Sequence, residues 1–144
     1  MRFASRKTIT LGIVATFGLF SASAFAVDHP VQVGVVVNGG FTFSPSTLSI
    51  AAGDTVTWTS AGGSAPHNVR SDAGSVTNFR CANGCDGAGG NGTPSAAAWT
   101  ATVAFPTPGT IPFYCEIHGG PGGVGMSGSI SVTTPVDLQS FDVD

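Results

Sequence analysis

The chain has 144 residues, 42% of them hydrophobic and only 9% charged, with a formal net charge of −3. That length is enough for one domain with a core of its own. Five basic side chains against eight acids make nucleic acid and anionic membrane surfaces poor partners.

Arg2, Arg6 and Lys7 open the chain and precede an apolar run of 12 residues, 9–20. A bilayer crossing needs about 20 residues. With Ala24-Phe25-Ala26 as a small-x-small cleavage signal, residues 1–26 are predicted to be a cleaved signal peptide. No cysteine stands near that cut to take a lipid. The product, residues 27–144, keeps Arg70 and Arg80 against all eight acids, a side-chain charge of −6. It is expected to be periplasmic or secreted, with no stable membrane insertion and a monomeric state.

Residues 27–134 read as one domain of short strands. Residues 31–37 are rich in β-branched side chains; 41–43 and 47–50 follow, separated by Ser44-Pro45-Ser46. After the Gly53-Asp54 turn, Val56 and Trp58 alternate with Thr55, Thr57 and Thr59. Residues 99–105, 110–115 and 127–134 complete the set, with Pro106, Pro108 and Gly109 breaking the chain between the first two. No segment has a helical period, and glycine and proline supply 30 residues. The expected fold is all-β, an antiparallel Greek-key sandwich.

Two segments fall outside this pattern. Residues 71–98 contain Cys81, Cys85 and the run Gly87-Ala88-Gly89-Gly90-Asn91-Gly92, and read as a long loop without strands. In an oxidising compartment a Cys81–Cys85 disulfide is expected to pin it. Residues 135–144 read as a frayed acidic tail.

Candidate metal ligands cluster near the C-terminal end. Cys115, His118 and Met126 lie on one short stretch, and His67 stands upstream in Pro66-His67-Asn68-Val69. Two imidazoles, a thiolate and a weak axial thioether form the blue-copper electron-transfer set. Met126 is the only methionine outside the leader. Cys115 must bind as thiolate, so affinity is expected to fall in acid. One competing set exists, Cys81, Cys85, Cys115 and His118 around zinc, which requires both loop cysteines to stay reduced.

The chain resembles the cupredoxins, and in particular the plastocyanin-like copper-binding domain. The resemblance rests on Phe43-Ser44-Pro45-Ser46-Thr47-Leu48-Ser49-Ile50, Ala52-Gly53-Asp54-Thr55-Val56-Thr57-Trp58, His67-Asn68-Val69, Tyr114-Cys115-x-x-His118 and Met126-x-Gly128. It implies one copper ion cycling between Cu(I) and Cu(II), held by His67, Cys115, His118 and Met126. It also implies that the Asn68 side chain ties two ligand loops together. The function implied is one-electron transport rather than catalysis, with a periplasmic copper carrier or buffer as the alternative. A redox protein is expected to dock near His118 and the stretch Gly119-Gly120-Pro121-Gly122-Gly123-Val124-Gly125. Seven residues here separate His118 from Met126, more than in plastocyanin. Five are glycine, which predicts a flat, side-chain-poor surface.

Cleavage after Ala26 raises one more expectation. A free Val27 amine, the amides of Asp28 and His29 and the His29 imidazole can wrap square-planar Cu(II) or Ni(II).

Overall fold

A computed structural model describes residues 25–135. The signal-peptide reading, apart from Phe25 and Ala26, and the acidic tail, apart from Pro135, lie outside the described residues. Within them there are ten strands in two sheets and no helix. Among the described residues no helix is long and apolar enough to cross a membrane.

The first sheet joins β2 (Gly40–Ser44), β1 (Asp28–Val37), β4 (Thr55–Ser60) and β8 (Trp99–Ala104) in that order. The second joins β3 (Thr47–Ala51), β10 (Val124–Thr133), β9 (Gly109–Gly120), β5 (Val69–Ser71), β6 (Arg80–Ala82) and β7 (Gly84–Cys85). Pairing is antiparallel except for β1 with β4 and β3 with β10. Those two parallel contacts arise where the chain crosses from one sheet to the other instead of turning back, as a Greek-key sandwich requires.

Alternation sets the core. Val56 and Trp58 of β4 are fully buried, while Thr55, Thr57 and Thr59 are half-buried on the opposite face. Trp58 is central: the rings of Phe79, Phe113 and Phe105 lie 5.1, 5.8 and 6.3 Å from it. Phe43 meets Phe113 edge-on at 5.0 Å. Such aromatic pairs contribute about 0.5–1.5 kcal/mol each beyond their buried area.

Residues 71–98 are not the strandless loop the sequence predicts. β6 and β7 extend the second sheet outward from β5, with Cys81 opposite Cys85 and joined to it by a disulfide. The strands on either side of the glycine-rich stretch run further than the expected 110–115 and 127–134. β9 and β10 stay paired as far as Gly120 and Val124, leaving only Pro121, Gly122 and Gly123 as the turn.

Candidate metal centre

Three donors converge at one end of the sandwich. His67 sits just before β5, its backbone fixed by two hydrogen bonds with Ser95, 3.0 Å from its N–H and 2.9 Å to its carbonyl. Cys115 and His118 belong to β9. The Cys115 Sγ lies 3.9 Å from His67 Nδ1 and 3.6 Å from His118 Nδ1. All three donor atoms fall within 4.8 Å of one another. Bonds of about 2.0–2.3 Å to a first-row metal, spread near-trigonally, put nitrogen and sulfur about 3.7 Å apart. The donor spacing therefore fits a single ion.

Met126 lies near them, 1% exposed, where the β9–β10 register shifts between Gly125 and Ser127. That bulge places the thioether on the inner face. Cys115 is fully buried and His67 5% exposed, whereas His118 is half-buried at the edge. Burial pushes the His67 imidazole pKa down, and the neighbouring His118 lowers it further. A neutral ring is the form that ligates metal.

Supports for these ligands come from three directions. Asn68 ties the two ligand segments: its Oδ1 accepts the Glu116 N–H at 2.9 Å, and its Nδ2 donates to the Gly92 carbonyl at 2.9 Å and to Glu116 Oε2 at 2.6 Å. Glu116, directly after Cys115, also accepts from Arg70 Nη1 and Arg80 Nε, both at 2.7 Å. Arg80 reaches on to Asp86 at 3.0 Å. Burial alone would raise the Glu116 pKa, but Arg70, Arg80 and Asn68 outweigh it and hold the carboxyl below its usual range.

Phe41 covers the two imidazoles, its ring centroid 4.7 Å from each, and the two histidine rings are themselves 4.7 Å apart. Gly34 interrupts β1 at a register shift with φ +77°. A Cβ there would sit 2.7 Å from His67 Nε2, so only glycine leaves that ring its place.

Sequence reasoning missed Glu116, Arg70, Arg80, Phe41 and Gly34. The Arg70 and Arg80 pairing did carry a signal. They are the only arginines or lysines past the leader; Arg70 follows His67-Asn68-Val69 and Arg80 precedes Cys81.

Two further expectations meet the structure differently. The disulfide removes Cys81 and Cys85 from any zinc set, leaving Cys115 as the free cysteine. Val27, Asp28 and His29 stand at the start of the first sheet. Asp28 and His29 are extended in β1 and paired with β4, Asp28 Oδ1 accepts from Thr55 and Thr57, and Val27 N and His29 Nε2 are both bonded to Asp54. Strand pairing holds this backbone straight, and a chelate would have to bend it.

Residues 30–133 match the family model of copper-binding proteins, plastocyanin/azurin family. The chain is 35% identical over 106 residues to chloroplastic plastocyanin of Tetradesmus obliquus, covering 74% of this chain and 70% of that one. It is 34% identical over 105 residues to plastocyanin of Scenedesmus fuscus, covering 73% of this chain and 99% of that one. Among solved structures, native pseudoazurin from Hyphomicrobium denitrificans superposes with a TM-score of 0.51 at 19% identity, over 76% of this chain and 77% of that one.

Proposed function

From the premise that the chain belongs to the plastocyanin/azurin family of copper-binding proteins, we propose that it is an exported one-electron carrier. Its cofactor is copper. In this reading His67, Cys115 and His118 hold the ion and Met126 is its axial neighbour. Bound copper supplies a one-electron couple between Cu(I) and Cu(II). The observation that carries the proposal is the convergence of His67 Nδ1, Cys115 Sγ and His118 Nδ1 at spacings suited to one ion.

The chain's own contribution is rigidity. The Ser95 bridge and Asn68 fix His67 relative to β9, and the Glu116 ion pairs brace the residue next to the thiolate. Donors held in this way need move little when charge changes, which favours rapid electron exchange. His118 is the ligand nearest the surface; Ile117, next to it in β9, and Val124, across the hairpin from Gly120, are 55% and 62% exposed. That apolar rim and the glycine-rich hairpin are where a redox partner would close on the His118 edge.

The domain is taken as residues 27–134, released by cleavage after Ala26, and its compartment as periplasmic or extracellular. The Cys81–Cys85 disulfide supports an oxidising location.

The test is the visible and EPR spectrum of the exported protein with one equivalent of Cu(II), beside Cys115→Ser. The expected result is an intense thiolate-to-copper band with narrow hyperfine splitting, absent in the variant. A colourless ordinary Cu(II) spectrum, unchanged by the substitution, would sink the electron-carrier reading in favour of metal delivery.

A further inference from the structure

At the opposite end of the β1–β4 pair lies a carboxylate with an unusual set of partners. Asp54 is 7% exposed. Its Oδ1 accepts the Val27 N–H at 2.9 Å; its Oδ2 accepts the Ala51 N–H at 3.0 Å and lies 3.0 Å from His29 Nε2. The Val27 backbone hydrogen bond is the largest of the influences that hold the Asp54 pKa below its usual value. A buried carboxylate is costly without a positive partner. Among the described residues no arginine or lysine reaches it, and its one ionisable partner is His29: Arg70 and Arg80 both lie on the other sheet, bonded to Glu116 and Asp86.

We infer that Asp54 is the binding site for the processed amino terminus, a primary ammonium group created at Val27 when the leader is removed. This rests on the processing reading above. Water hydrolyses the Ala26–Val27 bond, leaving a carboxylate on Ala26 and, after protonation, an ammonium on Val27. The new charge appears on an atom already 2.9 Å from Asp54 Oδ1. No part of β1 has to move to form the ion pair. The Val27 carbonyl is meanwhile held by the Thr55 N–H at 2.9 Å, so the terminus is fixed from both sides of the residue. The segment just upstream is open to a peptidase, with Phe25 89% exposed. Cleavage thus converts a neutral donor into a charged one and completes a clamp between the first residue of the product and the turn before β4. The full-length chain cannot make this ion pair.

The sequence makes the test clean. Lys7 is the only lysine, so in the processed chain the Val27 amine is the sole primary amine. Intact mass of the exported protein gives the terminus. Selective acetylation then removes its charge, in the wild type and in Asp54→Asn. The clamp predicts that acetylation lowers the wild-type Tm by about 4 °C or more and leaves the Asp54→Asn Tm nearly unchanged. It also predicts that the folded wild-type amine is acetylated several-fold more slowly than the amine in urea, which tests the clamp even if Asp54→Asn does not fold. A Val27 terminus that reacts equally fast folded and unfolded, or an equal Tm loss in both proteins, overturns the clamp and leaves the processing reading intact. A mass corresponding to a different terminus overturns both.

Discussion

The β9–β10 hairpin and the excursion from Asp72 to Ala98 flank the same donor cluster, yet they are held by different forces. The hairpin is a backbone structure: strand pairing continues to Gly120 and Val124, and its close contacts are between main-chain atoms. The excursion has two very short strands, and to its scattered backbone hydrogen bonds it adds side-chain ties: the Cys81–Cys85 disulfide, Arg80 with Glu116 and Asp86, and Asp86 Oδ1 accepting the Gly92 N–H at 2.7 Å. The hairpin carries Cys115, His118 and Met126. The excursion supplies no candidate ligand but fixes His67 through Ser95 and Asn68 through Gly92. Damage to the first should therefore alter the metal's spectrum, and damage to the second should first alter stability.

The sharpest way to break this contrast is Gly125→Val. Gly125 has φ +61°, and a Cβ there would run into the His118 carbonyl. A β-branched residue is forced out of that backbone region, so about 3 kcal/mol of stability should be lost. The His118 side of the copper EPR spectrum should change with it. An unaltered spectrum would mean that the hairpin backbone does not position His118.

Replacing both Cys81 and Cys85 with alanine probes the other side. In the chain-entropy model a loop this short contributes about 2 kcal/mol. Urea unfolding should show that loss while the blue band and EPR parameters stay within error of wild type. A changed spectrum would place the disulfide among the supports of the donor cluster and erase the distinction.

The same division governs what could be read from the sequence. The strands of the first sheet were visible because residues such as Val56, Trp58 and their threonine neighbours alternate at the period of two that burying one face demands. The donors stood out by chemistry: a soft thiolate, a lone thioether and imidazoles are scarce residue types gathered on one stretch. The excursion was opaque for the opposite reason. Arg80-Cys81-Ala82 and Gly84-Cys85 are too short to show a period; a disulfide only four residues apart ties them to each other, and the charge contact that ties them to β9 reaches 36 residues along the chain, from Arg80 to Glu116. Phe41 was expected on a strand, but nothing local says that its ring lies against His67 and His118. The parallel β1–β4 and β3–β10 contacts were likewise invisible, because alternation fixes a face and not a neighbour.

The smallest and most discriminating effect is expected at Glu116, where the two regions meet. Its two oxygens serve three donors: Arg70 on Oε1, Arg80 and Asn68 on Oε2. Glu116→Gln keeps the shape but offers a single acceptor oxygen, so an amide N–H2 must face one of the cations. With both arginines part-exposed, the loss should be only about 1 kcal/mol at neutral pH and low salt. The folded Glu116 pKa is depressed, so its contribution is fully present above the ordinary glutamate value and disappears as pH falls through the lower folded value. Asp54 is depressed as well, but it lies on the other sheet in both proteins and its acid loss cancels in the difference; Asp86 shares Arg80 with Glu116, so Asp86→Asn in both backgrounds isolates the Glu116 contribution. Unfolding free energies of wild type and Glu116→Gln, measured on the metal-free protein, should differ at pH 7 and converge in acid. A gap that persists below the folded Glu116 value would show that Glu116 acts through shape and hydrogen bonding, and that the excursion is joined to Cys115 by something other than charge.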